Sequence, residues 1–397
     1  MRDVPPGPSP APARRPPGPR PPARPPPARP PARPPAARPA RPPASGPPPA
    51  SGPPPAPGTS DVPGTSDAAD AARTAPGDGR TGVVVITRDR RERLLHTLER
   101  LTALPERPPV VVVDNASSDG TARAVRERFP QARLLTPGRN LGAVGRNLAA
   151  RVTTTPYLAF CDDDSWWEPG ALAGAADLLD AHRQVAAVTA RILVHPVPHA
   201  PQDPHEPQDP YAPPGAVAQG DPYEDPVVPE LRHSPLPAPD WLPGPALGSF
   251  PAAATVLRTD AFREADGFSP RLWLGGEEEL LAADLAASGW WLVHADNLTV
   301  HHRPAPRRDS TLRRRHGIRN TLWFGWLRRP APAAVRRTVR LAASVPRDTV
   351  SARAFAEALA GLPWVLRERR PLPAEVEERF RLLEEAQNAS TARRCVG

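Results

Sequence analysis

Three adjacent acids, Asp162-Asp163-Asp164, follow the apolar run Tyr157-Leu158-Ala159-Phe160 after one further residue, Cys161. Carboxylates packed this closely repel one another, and at the end of a buried strand little water screens them. A hard divalent cation such as Mg2+ or Mn2+ removes that cost, because it prefers carboxylate oxygen and bridges to phosphate. In an extended segment residues two apart share a face, so Asp162 and Asp164 are placed to share one ion. The competing reading is an acidic turn that caps the next helix. Two further polar turns follow apolar runs: Thr87-Arg88-Asp89-Arg90 after Val83–Ile86, and Asp114 to Thr121 after Val110–Val113. Glu277-Glu278-Glu279 opens a helical stretch, where the macrodipole favours acids. His301-His302 ends the strand-like Leu298-Thr299-Val300. A lone histidine is usually structural, but a neutral imidazole also suits Mn2+.

These turns need elements that carry them to one place. Short β-branched runs at Val83–Ile86 and Val110–Val113 predict strands buried on both faces. Arg133–Leu135 and Tyr157–Phe160 are further strands. Between them, apolar residues at Leu94, Leu95, Leu98 and Leu101 mark a helix from Arg90 to Leu104, and Pro108-Pro109 stops it. Helices are also expected over Thr121–Phe129 and Asn140–Arg151. Strands alternating with helices predict a mainly parallel sheet covered on both faces. Ligands of such sheets sit at the carboxyl ends of the strands, where all three polar turns lie. Neither of the first two turns carries G-x-G-x-x-G, which argues against a dinucleotide-binding dehydrogenase. Regular structure is expected again at Ala252–Leu257, Glu277–Ser288 and Trp291–Val293, with helices from Thr311 on.

The segments VVVITRDR (83–90), VVVDNASSDGT (111–121), GRNLGAVGRNLAA (138–150), YLAFCDDDSWWEPGAL (157–172), GFSPRLWLGGEEEL (267–280) and VHH (300–302) occur in that order. Together they resemble the family 2 glycosyltransferases, especially the bacterial rhamnosyl- and galactofuranosyl-transferase-like members. The resemblance implies the GT-A fold, a Rossmann-like mainly parallel mixed sheet flanked by helices. It also implies transfer of a sugar from a nucleotide-diphosphate donor, with inversion, to a hydroxyl on a carbohydrate or lipid-linked acceptor. By the same resemblance Thr87 and Arg88 face the nucleotide, Asp114 reads the base or ribose, Asp163 contacts the nucleotide sugar, and Arg146 faces the diphosphate. Asp162 and Asp164 match the pair that holds Mn2+ or Mg2+, with His302 as a further ligand and His301 as second choice. Glu277 and Glu278 fall on the acidic pair that includes the general base, Glu278 being favoured. Two departures stand out: Glu278 replaces the usual Asp, and Leu280 replaces a usual third acid. Asn140 and Asn147 suit holding loop backbone, and Asp119 and Thr121 suit capping the helix that follows. Trp166 and Trp167 could stack on a sugar or pack beneath the site, and Trp273 falls on the acceptor side.

Composition frames the rest. Residues 1–60 hold nine arginines and one acid, an excess equal to the chain's formal charge of +8. A high isoelectric point is therefore no sign of a specific nucleic-acid surface. Residues 1–78 are read as a disordered Pro/Arg-rich tail, since they offer almost no apolar side chain to bury. Residues 79–329 form the expected transferase domain, interrupted by a Pro-rich loop at 196–245, and residues 330–397 a helical appendage. Cys161 and Cys395 form no framework and are expected to be reduced. With no signal-peptide core and no long apolar run, the expected place is the cytoplasm, with peripheral contact at the inner face of the membrane. For that contact the aromatic and basic stretch from Ile318 to Leu341 is the candidate, against a plain reading in which its tryptophans pack on the core. A scaffold protein without activity and a sugar nucleotidyltransferase are the alternative functions. The latter normally carries a Gly-rich phosphate loop that TRDRRERL lacks.

Overall fold

The computed structural model describes residues 77–196, 221–304 and 310–389. The expected tail up to residue 76, the centre of the Pro-rich loop at 197–220, and Cys395 lie outside the described residues.

The chain opens with β1 (Thr81–Thr87), α1 (Arg91–Thr102), β2 (Val110–Asp114), α2 (Thr121–Arg128), β3 (Arg133–Leu135), α3 (Gly145–Val152) and β4 (Tyr157–Asp162). These match the expected alternation to within a few residues. β1 pairs in parallel with β2 and with β4, and β2 pairs in parallel with β3. The register sets Thr87 opposite Asp114 and Ile86 opposite Asp162, so three strands end at one edge. Val83, Val84, Val85, Val112 and Val113 are fully buried, as expected of strands covered on both faces.

The second half departs from a purely parallel sheet. It contains β5 (Ser165–Trp167), α4 (Ala171–Ala181), β6 (Val185–Val194), β7 (Tyr223–Glu224), α5 (Val227–Arg232), β8 (Thr255–Arg258), α6 (Thr259–Glu264), α7 (Glu277–Ala287) and β9 (Trp291–His302). The sheet runs β3-β2-β1-β4-β8-β6-β9-β5, with β7 on β6. β8 is antiparallel to both β4 and β6, while β6 and β9 are parallel. β6 escapes sequence reading because Val-Ala-Ala-Val-Thr-Ala-Arg contains three alanines, which are poor strand formers on their own. They are tolerated because β6 is central and its small side chains let helices approach closely. A bulge between Ala190 and Arg191 lets β9 skip from Ala295 to Thr299, so the strand runs on to His302.

One apolar core lies on each face of the sheet, and a third joins α7 to the C-terminal helices. Those helices are α8 (Ser310–Arg328), α9 (Ala331–Ser344), α10 (Thr349–Ala360), α11 (Leu362–Glu368) and α12 (Ala374–Ala389). In the third core Trp323 and Phe324 of α8 are buried against Ala354, Trp364 and Phe380. The packing reading therefore holds for those aromatics. Among the described residues no helix is long and apolar enough to cross a membrane.

Candidate functional site

At the edge where β1, β2 and β4 end, each carboxylate of the triad meets a different partner. Thr87 donates its hydroxyl to Asp163 at 2.9 Å. Arg90 donates from one nitrogen to Asp163 at 3.0 Å and to Asp164 at 3.1 Å. Arg146, the second residue of α3, donates to Asp162 at 2.5 Å. Burial pushes the Asp163 carboxyl up to about 6; Arg90 opposes that shift and the charges of Asp164 and Asp162 add to it.

Asp162 ends β4, but Asp163 and Asp164 form a turn before β5. Strand alternation therefore stops at Asp162, and the argument that Asp162 and Asp164 share a face does not hold in this geometry. Asp164 turns instead toward β9. The β5–β9 pairing sets Ser165 opposite His302, and the His302 Nε2 lies 3.7 Å from Asp164 Oδ1. Asp164 and His302 are thus together and fit a hard divalent ion, whereas Asp162 holds Arg146 through one of its two carboxylate oxygens. Among the described residues no group of three His, Cys, Asp or Glu side chains converges as a ready metal site. His301 points to the other side, bonded to His195 at 2.8 Å and stacked on Trp166. Trp167 is core, and Trp166 packs among His96, His195 and His301.

In the turn after β1 the two arginines take different directions. Arg88 is exposed and, among the described residues, pairs with its neighbour Asp89 at 3.3 Å. Arg90, which sequence reasoning did not single out, is the arginine aimed at the triad. Asp89 causes this by adopting a left-handed φ of 51°, which turns the chain. Its carboxylate accepts from the Ser118 N–H at 2.6 Å, and its own N–H donates to Ser117, so the first two turns are stitched together. Asp114 is buried, and one of its oxygens accepts from the Ser117 N–H at 2.8 Å. Asp119 accepts from the N–H groups of Arg91 and Thr121, the structural role expected of it. Asn140 and Asn147 likewise hold backbone, at Gly142 and at Phe268.

Arg146 links this edge to the acidic pair. Its side chain is only 5 % exposed, it lies near the faces of Phe160 and Phe268, and its Nε has no hydrogen-bond partner among the described residues. Gly275 and Gly276, at φ 81° and 83°, deliver Glu277 as the first residue of α7. A side chain at either position would be strained. Burial raises the Glu277 carboxyl above its usual range, against the pull of nearby backbone N–H groups and Arg146. Burial, and then the charge of Glu277, push Glu278 up to about 8, with Arg146 again opposing. Asp162 also acts on both. The two acidic groups, more than a hundred residues apart in the chain, therefore face one arginine.

The neighbours of the pair are assigned elsewhere. Glu279 leaves the site to pair with Arg337 of α9 at 2.9 Å. Leu280 is buried in the third core, which accounts for an apolar residue there. Asn320 of α8 donates to the carbonyls of Leu272, Leu274 and Gly275, and Arg319 donates to that of Leu272. This clamp holds the loop that presents Glu277; the Arg319-Asn320 pair between the apolar residues Ile318 and Leu322 of an arginine-rich helix was its sequence signal. Trp273, at φ 64°, lies against the turn before α3, where its carbonyl accepts from the Ala143 N–H at 2.9 Å. A Cβ at Gly142 would meet that carbonyl at 2.3 Å, so glycine is required for the close approach.

Residues 82–214 match the family model described as Glycosyl transferase family 2. The chain is 26% identical over 291 residues to an N-acetylglucosaminyl-diphospho-decaprenol L-rhamnosyltransferase from each of two strains of Mycobacterium tuberculosis, covering 65% of this chain and 90% of the relative. Among solved structures it is similar to the Pyrobaculum calidifontis mannosyltransferase in complex with GDP-Man and Mn2+, at a TM-score of 0.43 and 19% identity over 83% of each chain. It is also similar to S. aureus TarS 1-349, at a TM-score of 0.47 and 14% identity over 78% of this chain and 92% of that one.

Proposed function

We propose that this chain, whose residues 82–214 match the model of Glycosyl transferase family 2, carries out an inverting, metal-assisted transfer of a sugar from a nucleoside-diphosphate donor to a hydroxyl acceptor. The observation that carries this reading is Arg146, which is bonded to Asp162 and whose charge also acts on the buried carboxyls of Glu277 and Glu278. A bound Mn2+ or Mg2+, held by Asp164 and His302 with Asp162, would neutralise the negative charge of the leaving diphosphate. Arg146 would add a planar, charge-assisted contact to the same oxygens. Thr87, Arg88, Asp114 and Asp163 would hold the nucleotide side. Glu278, or Glu277 beside it, takes the acceptor hydroxyl's proton as that oxygen attacks the anomeric carbon. The bond from that carbon to the phosphate oxygen breaks on the opposite face, and the nucleoside diphosphate leaves.

The lipid-linked acceptor in the names of the mycobacterial relatives makes a polyprenyl-diphosphate glycan the first acceptor to try, and a deoxyhexose nucleotide the first donor. The scaffold alternative drew on Leu280, whose place in the third core supplies a packing reason for it. The direct test is thermal shift of the full chain with nucleoside diphosphates and nucleotide sugars, with and without Mn2+. A metal-dependent rise with one nucleotide supports the reading; no rise with any of them, in folded protein, favours the scaffold.

A pH dependence follows from the acidic pair. A general base must be ionised, and burial raises both carboxyls, so the rate should fall as pH drops through their raised range. The acid limb with saturating donor is expected well above 4.5 and toward about 8. The apparent value belongs to the pair. A rate that stays flat from acid to alkaline pH would dismiss the carboxylate base.

Arg90 is expected to compete with the metal, because its guanidinium already bridges Asp163 and Asp164. Arg90→Gln should therefore tighten Mn2+ binding by about fivefold, the worth of roughly one kcal/mol of lost competition. Electron paramagnetic resonance of free Mn2+ measures this without turnover. Weaker binding in that variant would mean that Arg90 orients the carboxylates instead.

A further inference from the structure

The outer face of α9 is inverted relative to an ordinary surface helix. Val335 is 48% exposed and Val339 64%, while Arg337 and Thr338 turn inward to Glu279 and Trp326. Ala331 and Ala342, each exposed, continue the valine stripe at helical spacing. Arg336 and Arg340 lie along one side of it, and Arg347 follows the helix end; all three are exposed. Arg340 is paired with Glu384 at 2.9 Å, but among the described residues neither Arg336 nor Arg347 has an acid partner. From Thr311 to Arg347 the chain holds ten arginines and no aspartate or glutamate.

We propose that α9 is a docking surface for an anionic lipid bilayer, lying flat with Val335 and Val339 below the headgroups and Arg336 and Arg347 among the lipid phosphates. A helix with an apolar stripe and arginines beside it binds such an interface through both terms, and the arginine stems reach past the apolar boundary. The charge pattern decides the occupant. A two-fold contact between copies of this face would set Arg336 and Arg347 against the same arginines, with no acid between them. A neutral apolar partner would leave both charges unanswered, whereas a phosphate-covered surface answers them. The inference deepens the reading of a lipid-linked acceptor and rests on it for its purpose, though the surface itself is argued from α9 alone.

The test uses the full chain, because the nine arginines of residues 1–60 also attract anionic lipid. Co-sedimentation with phosphatidylglycerol/phosphatidylcholine vesicles is compared with phosphatidylcholine alone, and peptide-resolved hydrogen exchange locates the contact. Exchange across residues 331–347 should slow with the anionic vesicles only. Arg336→Glu/Arg347→Glu should weaken binding on the order of tenfold. Val335→Ser/Val339→Ser should weaken it several-fold at unchanged charge. All four side chains are exposed, so both variants should melt like the wild type. If both variants bind as the wild type does, or if protection is confined to residues 1–60, the proposal is overturned. Vesicle binding through α9 in a protein that transfers no sugar would leave this inference standing and reject the proposed function. Transfer to a water-soluble acceptor with no vesicle binding would do the reverse.

Discussion

Glu278→Gln should lower single-turnover transfer by roughly 10²- to 10⁴-fold while leaving donor affinity unchanged. The amide keeps the size of the side chain but cannot take the acceptor's proton. Donor contacts are read to lie on the other side of Arg146, so the binding step is untouched. Glu277 supplies the internal control. Its charge is one of the causes that raise Glu278, so Glu277→Gln should move the acid limb of the rate profile to lower pH. That variant also replaces a buried carboxylate whose Oε2 has no hydrogen-bond partner among the described residues, so little stability should be lost. Glu278→Gln with full activity sinks its assignment as base. A larger loss in Glu277→Gln, with no shift of the limb, moves the base to Glu277.

Removing the carboxylate nearest His302 should have the next largest effect. Asp164→Asn is expected to weaken Mn2+-dependent donor binding by at least about a hundredfold, since it would delete a proposed direct ligand and not merely a supporting group. The fold should tolerate the change, because Arg90 keeps its bond to Asp163 at 3.0 Å when Asp164 is neutralised. The Asp164 backbone carbonyl, which accepts from Arg303 at 2.8 Å, is also unaffected. The measurement is donor titration by calorimetry with and without Mn2+, beside a melting curve. Equal donor affinity in wild type and variant under Mn2+ would remove Asp164 from the metal site. A collapse of the melting temperature would assign it a structural role through Arg90.

Both experiments turn on contacts that local patterns do not contain. Strand alternation suggested a shared face for Asp162 and Asp164, but the chain turns at Asp163 and sends the two carboxylates to Arg146 and to His302. Alternation likewise gave no reason to prefer Arg90 over Arg88; the left-handed Asp89 does. Glu279 and Leu280 follow the acidic pair directly, yet a single helical turn carries them away to Arg337 and to the third core.

The sequence by itself determined the early strands, because unbroken valine runs between proline and polar turns have few other uses, and it determined that their carboxyl ends carry the acids. It also carried the resemblance to a family, through six short segments in a set order. Tertiary structure alone decided that α8 clamps the loop before Glu277. It alone decided that Arg146 stands between two acidic groups more than a hundred residues apart. The physical reason is range. Periodicity and turn chemistry act over a few residues, whereas these contacts follow from which strand pairs with which. Here that choice includes an antiparallel β8 and an alanine-rich β6 whose fitness depends on burial that no local pattern displays.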